Sequence, residues 1–182
     1  MDNSKKAGAA RNIAMVALGT ALIAAGAWIS IPFAIPFTMQ TFAVLTVAAV
    51  LGLRSGVAAV AVYIALGAAG APVFSGFSGG VSILFGATGG YIAGFLLTAA
   101  VVGIASGRFG TKLFPMILSM SLGVLLCYAV GTIWFVHIFT GTTYQVALLK
   151  CVVPYLLPDA AKIALAAFLV PKIRRALRRK AQ

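Results

Sequence analysis

The chain has 182 residues, 62% of them hydrophobic and 9% charged, with a mean hydropathy of +1.09. Soluble domains carry about 25% charged residues, so a water-soluble fold is excluded and an all-α integral membrane bundle is expected; spans of ~20 residues consume most of the length and leave one transmembrane domain over residues 1–182. The net charge of +12 would suit a nucleic-acid binder, but its distribution points to a membrane.

The apolar runs predict six transmembrane helices, over Asn12 to Ser30, Phe37 to Leu53, Gly56 to Ala69, Val81 to Ile104, Leu113 to His137 and Leu148 to Lys172. With the amino terminus inside, Lys5, Lys6, Arg11, Arg54, Arg108, Lys112 and the tail Lys172, Arg174, Arg175, Arg178, Arg179 and Lys180 gather on the inner side, and only Lys150 falls outside. This is the positive-inside pattern, with both termini cytoplasmic. The basic tail reads as held at an anionic inner leaflet, with no nucleic-acid partner. Lys5, Lys6 and Arg11 ahead of an apolar run and the "AGA" at Ala25 to Ala27 have the pattern of a cleavable signal, but the run continues through Trp28, Ile29 and Ile31, which favours a retained first span.

Along the first helix, Ala17, Ala21 and Ala25 recur every four residues. Small residues at that spacing let another helix approach closely in lipid, either within the bundle or from a partner. The next connection, "SIPFAIPFTMQTF", carries Pro32 and Pro36, which favour a stiff extended segment able to cover something with Phe33 and Phe37. Between the third and fourth helices, "GAAGAPVFSGFSGG" and the "GATGGY" of Gly86 to Tyr91 place Gly70, Gly76, Gly79, Gly80, Gly86, Gly89 and Gly90 at the start of a span. There backbone can approach a ligand, or helices can pack through small residues. Cys127 and Cys151 lie in or beside apolar runs without CxxC spacing and read as packing residues, with no metal site implied. His137 reads as an interfacial residue at an outer helix end.

The last span holds the strongest signal. Asp159 is the only acid after Asp2, and Lys162 follows three residues later, on the same helical face. Each costs roughly 2.5–3.5 kcal/mol at a helix centre, so the pair is expected either to brace the bundle or to grip a polar ligand. Pro154 and Pro158 precede it and are expected to bend the helix, turning Tyr155 and Asp159 toward the opening. Counted from a span starting at Leu148, Asp159 lies about 16 Å along the helix, at or just outside the midplane. No catalytic constellation such as HExxH, paired carboxylates or a nucleophile beside a histidine is present, so no enzyme is expected.

Together, "IPFTMQTF", "LGLRSGVAAVAVYIALGAAGAPVFSGFSGG", "GATGGYIAGF" and "PYLLPDAAKIALA" resemble the BioY family, the biotin-specific membrane subunits of energy-coupling-factor transporters, over nearly the whole chain. The chain departs from the family pattern at Ala87, where relatives usually carry Pro, and in "GFSGG", where some carry Arg. The resemblance implies a six-helix receptor (S component) in the cytoplasmic membrane of a bacterium or archaeon. It would capture biotin from outside and be energised by a separate transmembrane scaffold and two ATPases. The chain has no GxxxxGK[ST] loop of its own. The resemblance also favours Ala17, Ala21 and Ala25 as the face that meets the scaffold.

Biotin suits the residues. Its ureido group has two N–H donors and one carbonyl acceptor, complementary to Asp159 and Lys162. Tyr155, Tyr91, Phe74 and Phe37 are candidate walls for the bicycle, and Thr88, Ser78, Gln40 and backbone such as that of Gly89 are candidate polar contacts. A stand-alone, proton-coupled carrier of a small organic solute would also place a carboxylate in the membrane; uptake that depended on pH and needed no ATPase would mark it.

Overall fold

The computed structural model describes residues 2–33, 35–139 and 141–179. Among the expected inner-side cations, Lys180 lies outside the described residues, as do the side chains of Lys5 and Arg178. Helix α1 (Asp2–Trp28) begins well before the expected Asn12, because the Ala- and Lys-containing lead is a good helix former and hydropathy marks only the part that meets lipid. Its buried stripe, including Gly19, Thr20, Ile23, Gly26 and Ala27, packs on the next helix, and Thr20 Oγ1 donates to the Ala59 carbonyl at 3.0 Å. After Trp28 the proline-rich connection forms an antiparallel ribbon of β1 (Ser30–Ile31) and β2 (Phe37–Thr38), with Ser30 opposite Thr38.

Helix α2 (Gln40–Ala68) is interrupted at Gly52, whose φ of 78° and ψ of −174° are open only to glycine. The chain reverses there. Gln40 Nε2 reaches the Tyr63 hydroxyl at 3.0 Å, and a Cβ on Gly56 would meet Ala48 Cα at 2.9 Å, so limbs 40–51 and 53–68 run side by side. The break expected between Leu53 and Gly56 therefore falls at Gly52.

A 3-10 turn (Ser75–Phe77) and a single helical turn, α3 (Val81–Leu84), lead into α4 (Gly89–Phe109). The expected helix from Val81 to Ile104 is thus divided around residues 85–88, and the true helix runs on to Phe109. Helix α5 (Leu113–Ile138) matches its expected bounds closely, and packs on α4. Thr98 Oγ1 on α4 donates to the Gly123 carbonyl on α5 at 2.8 Å.

The expected span from Leu148 to Lys172 is two helices, α6 (Tyr144–Cys151) and α7 (Val153–Arg179), divided at Val152 (φ −123°, ψ −56°). Pro154 sits in the first turn of α7, where a missing N–H costs little, while Pro158 lies inside the helix and leaves the Pro154 carbonyl without its usual partner. Counted from Val153, Asp159 is only about 9 Å into its helix, nearer the outer end than counting from Leu148 suggests.

Among the described residues, five helical segments are long and apolar enough to cross a membrane: Gly8–Trp28, Gln40–Ala68, Gly89–Phe109, Leu113–Ile138 and Val153–Leu177. The chain is a membrane protein with an apolar exterior; Leu18, Phe114, Leu125 and Leu157, for example, are exposed. The start of α1, the Gly52 corner and the ends of α4 and α7 share one end of the bundle. Asn12 there meets Ser55 at 2.7 Å, and Arg174 reaches Ser106. The ribbon, the 3-10 turn and α6 cover the other end.

Candidate functional site

Beneath the covered end lies a cavity of about 230 Å³, small beside the roughly 300–1,000 Å³ of drug-sized sites, so its occupant is compact. Both limbs of α2 contribute to its wall, through Gln40, Thr41 and Tyr63, as do α4 and α5 through Tyr91, Phe95, Cys127 and Tyr128. Tyr155, Asp159 and Lys162 come from α7.

Spacing of three on α7 brings Lys162 Nζ to 2.6 Å from Asp159 Oδ1, and both residues are buried, at 5% and 4% exposure. Tyr128 donates its hydroxyl to Asp159 Oδ2 at 2.5 Å. The Lys162 ammonium also lies 4.2 Å from the centroid of the Phe37 ring, a cation–π contact that ties the ribbon to the pair. The two alternatives for the pair are therefore not exclusive: the charges bind each other and also line the cavity. A carboxylate offers about four lone-pair sites and an ammonium three N–H donors. The contacts to Lys162 and Tyr128 engage part of that capacity, and the remainder suits a ligand carrying both donors and an acceptor.

The surrounding walls are aromatic. Phe74 is 1% exposed and meets Tyr63 edge-on, with centroids 5.4 Å apart. It lies over Gly67, where a Cβ would overlap its ring. The Tyr91 hydroxyl pairs with Thr132 Oγ1 at 3.3 Å, Ser78 donates to the Ser75 carbonyl at 2.8 Å, and Thr88 lines the cavity at the foot of α4.

Two outer segments close the top. Ile35 of the proline-rich connection is buried and lines the cavity, and its carbonyl accepts the Tyr155 hydroxyl. Trp28 fastens the second segment: its indole N–H donates to the Pro72 carbonyl at 2.8 Å, and its ring stacks on Phe77 at 5.1 Å.

Of the residues singled out from sequence, the fold brings Asp159, Lys162, Tyr155, Tyr91, Thr88, Gln40, Phe74 and Ser78 to this one cavity. Gly89 is not among the residues that line this cavity; a Cβ there would run into the Leu84 carbonyl. Its neighbour Gly90 is packed against Trp134, whose indole N–H donates to the Gly86 carbonyl at 2.9 Å. These two glycines serve helix packing. Cys127 and Cys151 are buried and do pack, but they also line the cavity. His137 is exposed near the end of α5. Ala17, Ala21 and Ala25 form an exposed stripe on α1, pointing away from the bundle.

Sequence reading missed Tyr128. Its signal was a polar stripe of Tyr128, Gly131 and Thr132 at i, i+3 and i+4 on an otherwise apolar span.

A sequence model described as the BioY family matches residues 1–179. The biotin transporter BioY of Thermotoga maritima is 39% identical, over 91% of this chain and 96% of that protein. The probable biotin transporter BioY of Pyrococcus horikoshii is 34% identical, over 91% of this chain and 97% of that protein. The fold is similar to a crystal structure of the S-component for biotin from an ECF-type ABC transporter, with a TM-score of 0.85 and 24% identity, covering 96% of this chain and 95% of that one.

Proposed function

The chain belongs to the BioY family, and from that premise we propose that it captures biotin from the outer side of a bacterial or archaeal cell membrane as the S component of an ECF transporter. The observation that carries the reading is the Asp159–Lys162 pair, joined by Tyr128 and set in the wall of a small aromatic cavity. A cavity built only to pack would be lined by apolar groups. This one confronts its occupant with a carboxylate and an ammonium that retain hydrogen-bonding capacity. One ureido N–H is assigned to Asp159, the ureido carbonyl to Lys162, and the bicycle to the Tyr63, Phe74, Tyr91 and Tyr155 walls. The valerate carboxylate is assigned to the Ser75, Ser78 and Thr88 side.

In the membrane we place six passes, both limbs of α2 crossing separately because the chain reverses at Gly52. An even number of passes puts both termini on one side, and Arg11, Arg54, Arg108, Lys112 and Arg174 near that end support the cytoplasm. The exposed stripe of Ala17, Ala21 and Ala25 is the proposed contact with the transmembrane scaffold, which would link the chain to two ATPases.

The direct test is isothermal titration of biotin into the protein purified in an uncharged detergent. A saturable one-site isotherm is expected. No binding heat at several temperatures, with no thermal stabilisation by biotin, would refute the assignment.

A further inference from the structure

Charge is confined to one place in the wall of the cavity beneath the outer segments. Among the described residues that line it, Asp159 and Lys162 are the charged ones, and they are bonded to each other at 2.6 Å. The wall is therefore neutral as a whole, and its ammonium is already engaged by a carboxylate. Of the 14 Lys and Arg in the chain, all but Lys150 and Lys162 fall on the inner side in the sequence pattern. Lys150 is exposed on α6 and does not line the cavity, although its neighbour Cys151 does.

The polar lining supplied by the outer segment and the start of α4 is of another kind. Ser75, Ser78 and Thr88 bring hydroxyls, and all three residues are half-buried. Ser78 donates its hydrogen to the Ser75 carbonyl at 2.8 Å, which leaves its oxygen as an acceptor. A hydroxyl both donates and accepts, so a group of hydroxyls can meet a carboxylate oxygen, an amide carbonyl or an amide N–H. A Lys or Arg offers donors only and favours the charged acceptor. Thr88 immediately precedes α4, and the amide dipoles of a helix start typically favour an anion by only about two- to fivefold.

We propose that the receptor reads the ureido head of its ligand and not the charge of its tail, so that carboxamides and small esters of biotin are bound about as firmly as free biotin. This rests on the reading that the Asp159–Lys162 pair holds the ureido ring. With the ring there, about 9 Å into α7, the five-carbon side chain ends among the Ser75, Ser78 and Thr88 hydroxyls, where no cation lines the cavity among the described residues. An ionised tail costs more to take out of water than an amide and gains more from each donor hydroxyl. The two differences oppose each other, and what remains is the modest preference set by the start of α4.

The test is isothermal titration at neutral pH, direct and by displacement, with biotin, biotinamide, biotin methyl ester and iminobiotin, whose ring carries a guanidinium in place of the urea. Biotinamide and the ester are expected within about fivefold of biotin. Iminobiotin is expected to bind at least roughly 30-fold more weakly, because it sets a cation against the Lys162 ammonium and offers no carbonyl to it. Lys150→Gln, exposed and outside the cavity, should leave the ratio of biotin to biotinamide affinity unchanged. Biotinamide weaker than biotin by about 30-fold or more would show that the tail's charge is read and overturn the proposal. A loss in Lys150→Gln confined to biotin would assign that reading to Lys150 and overturn it as well. Iminobiotin bound as well as biotin, with biotinamide rejected, would turn the ligand round and place its carboxylate on Lys162, again against the proposal. Failure of biotin itself to bind would remove the premise and the proposal together, so the two failures are read from different titrations.

Discussion

Replacing Asp159 with Asn separates a ligand-binding role from a bracing role, because the two make different demands on Lys162. The carboxylate holds Lys162 Nζ at 2.6 Å and the Tyr128 hydroxyl at 2.5 Å, at 4% exposure. Hydrogen bonds to charged groups are worth about 1.5–3 kcal/mol and neutral ones about 1 kcal/mol. Losing the charged bond to one ureido N–H, worth about 2 kcal/mol, gives roughly 30-fold in Kd. The same substitution strands the Lys162 ammonium, and breaking a buried pair costs about 3–5 kcal/mol of stability, so the single variant should also melt earlier. The double variant Asp159→Asn/Lys162→Met removes the stranded charge. Its melting temperature should recover toward the parent while its biotin affinity stays at least 30-fold weak, about 2 kcal/mol. Titration calorimetry and thermal unfolding in one detergent read both quantities. Unchanged affinity in the single variant, or recovery of affinity along with stability in the double variant, would show that the pair only braces the bundle.

Tyr155→Phe removes the hydroxyl that anchors the Ile35 carbonyl over the cavity. A loss of about 1 kcal/mol predicts biotin leaving roughly fivefold faster, read by stopped-flow displacement; an unchanged off-rate would mean that the ribbon does not limit exit. Gly67→Ala places a methyl group where the Phe74 ring lies, an overpacking that costs about 1–3 kcal/mol. It should lower both the melting temperature and biotin affinity, and a variant of parental stability and affinity would show that Phe74 can move aside freely.

The parts of the site legible from sequence were those whose presence in lipid is costly. Asp159 and Lys162 stood out because charge there needs a partner, and Tyr155 followed from its place beside them. Tyr128 did not, because a tyrosine within a long apolar span looks like any membrane aromatic until the fold turns it toward Asp159. The Gln40–Tyr63 contact depends on the reversal at Gly52; the sequence marks a break beside it, at Arg54 and Ser55, but not which residues the two limbs bring together. Conversely, the glycines of "GATGGY" suggested an approach to a ligand, but Gly89 and Gly90 are filled by Leu84 and Trp134; small size alone does not say what comes close. The divisions at residues 85–88 and at Val152, just ahead of a Pro154 that has no N–H to donate to the Lys150 carbonyl, do not interrupt an apolar window.

The limb 40–51, which ends at Gly52, extends only about 18 Å at 1.5 Å per residue, where a hydrocarbon layer is about 30 Å thick. The shortfall of roughly 12 Å is where the cavity, the ribbon and Phe74 fit. A solute held there lies within a largely apolar wall and sheds much of its hydration shell. Every polar atom it brings must then be matched by the wall or forfeit about 1–3 kcal/mol. Selectivity on this scaffold therefore arises from dehydration: a close analogue with one additional hydroxyl and no partner for it is rejected about as firmly as a molecule of the wrong shape.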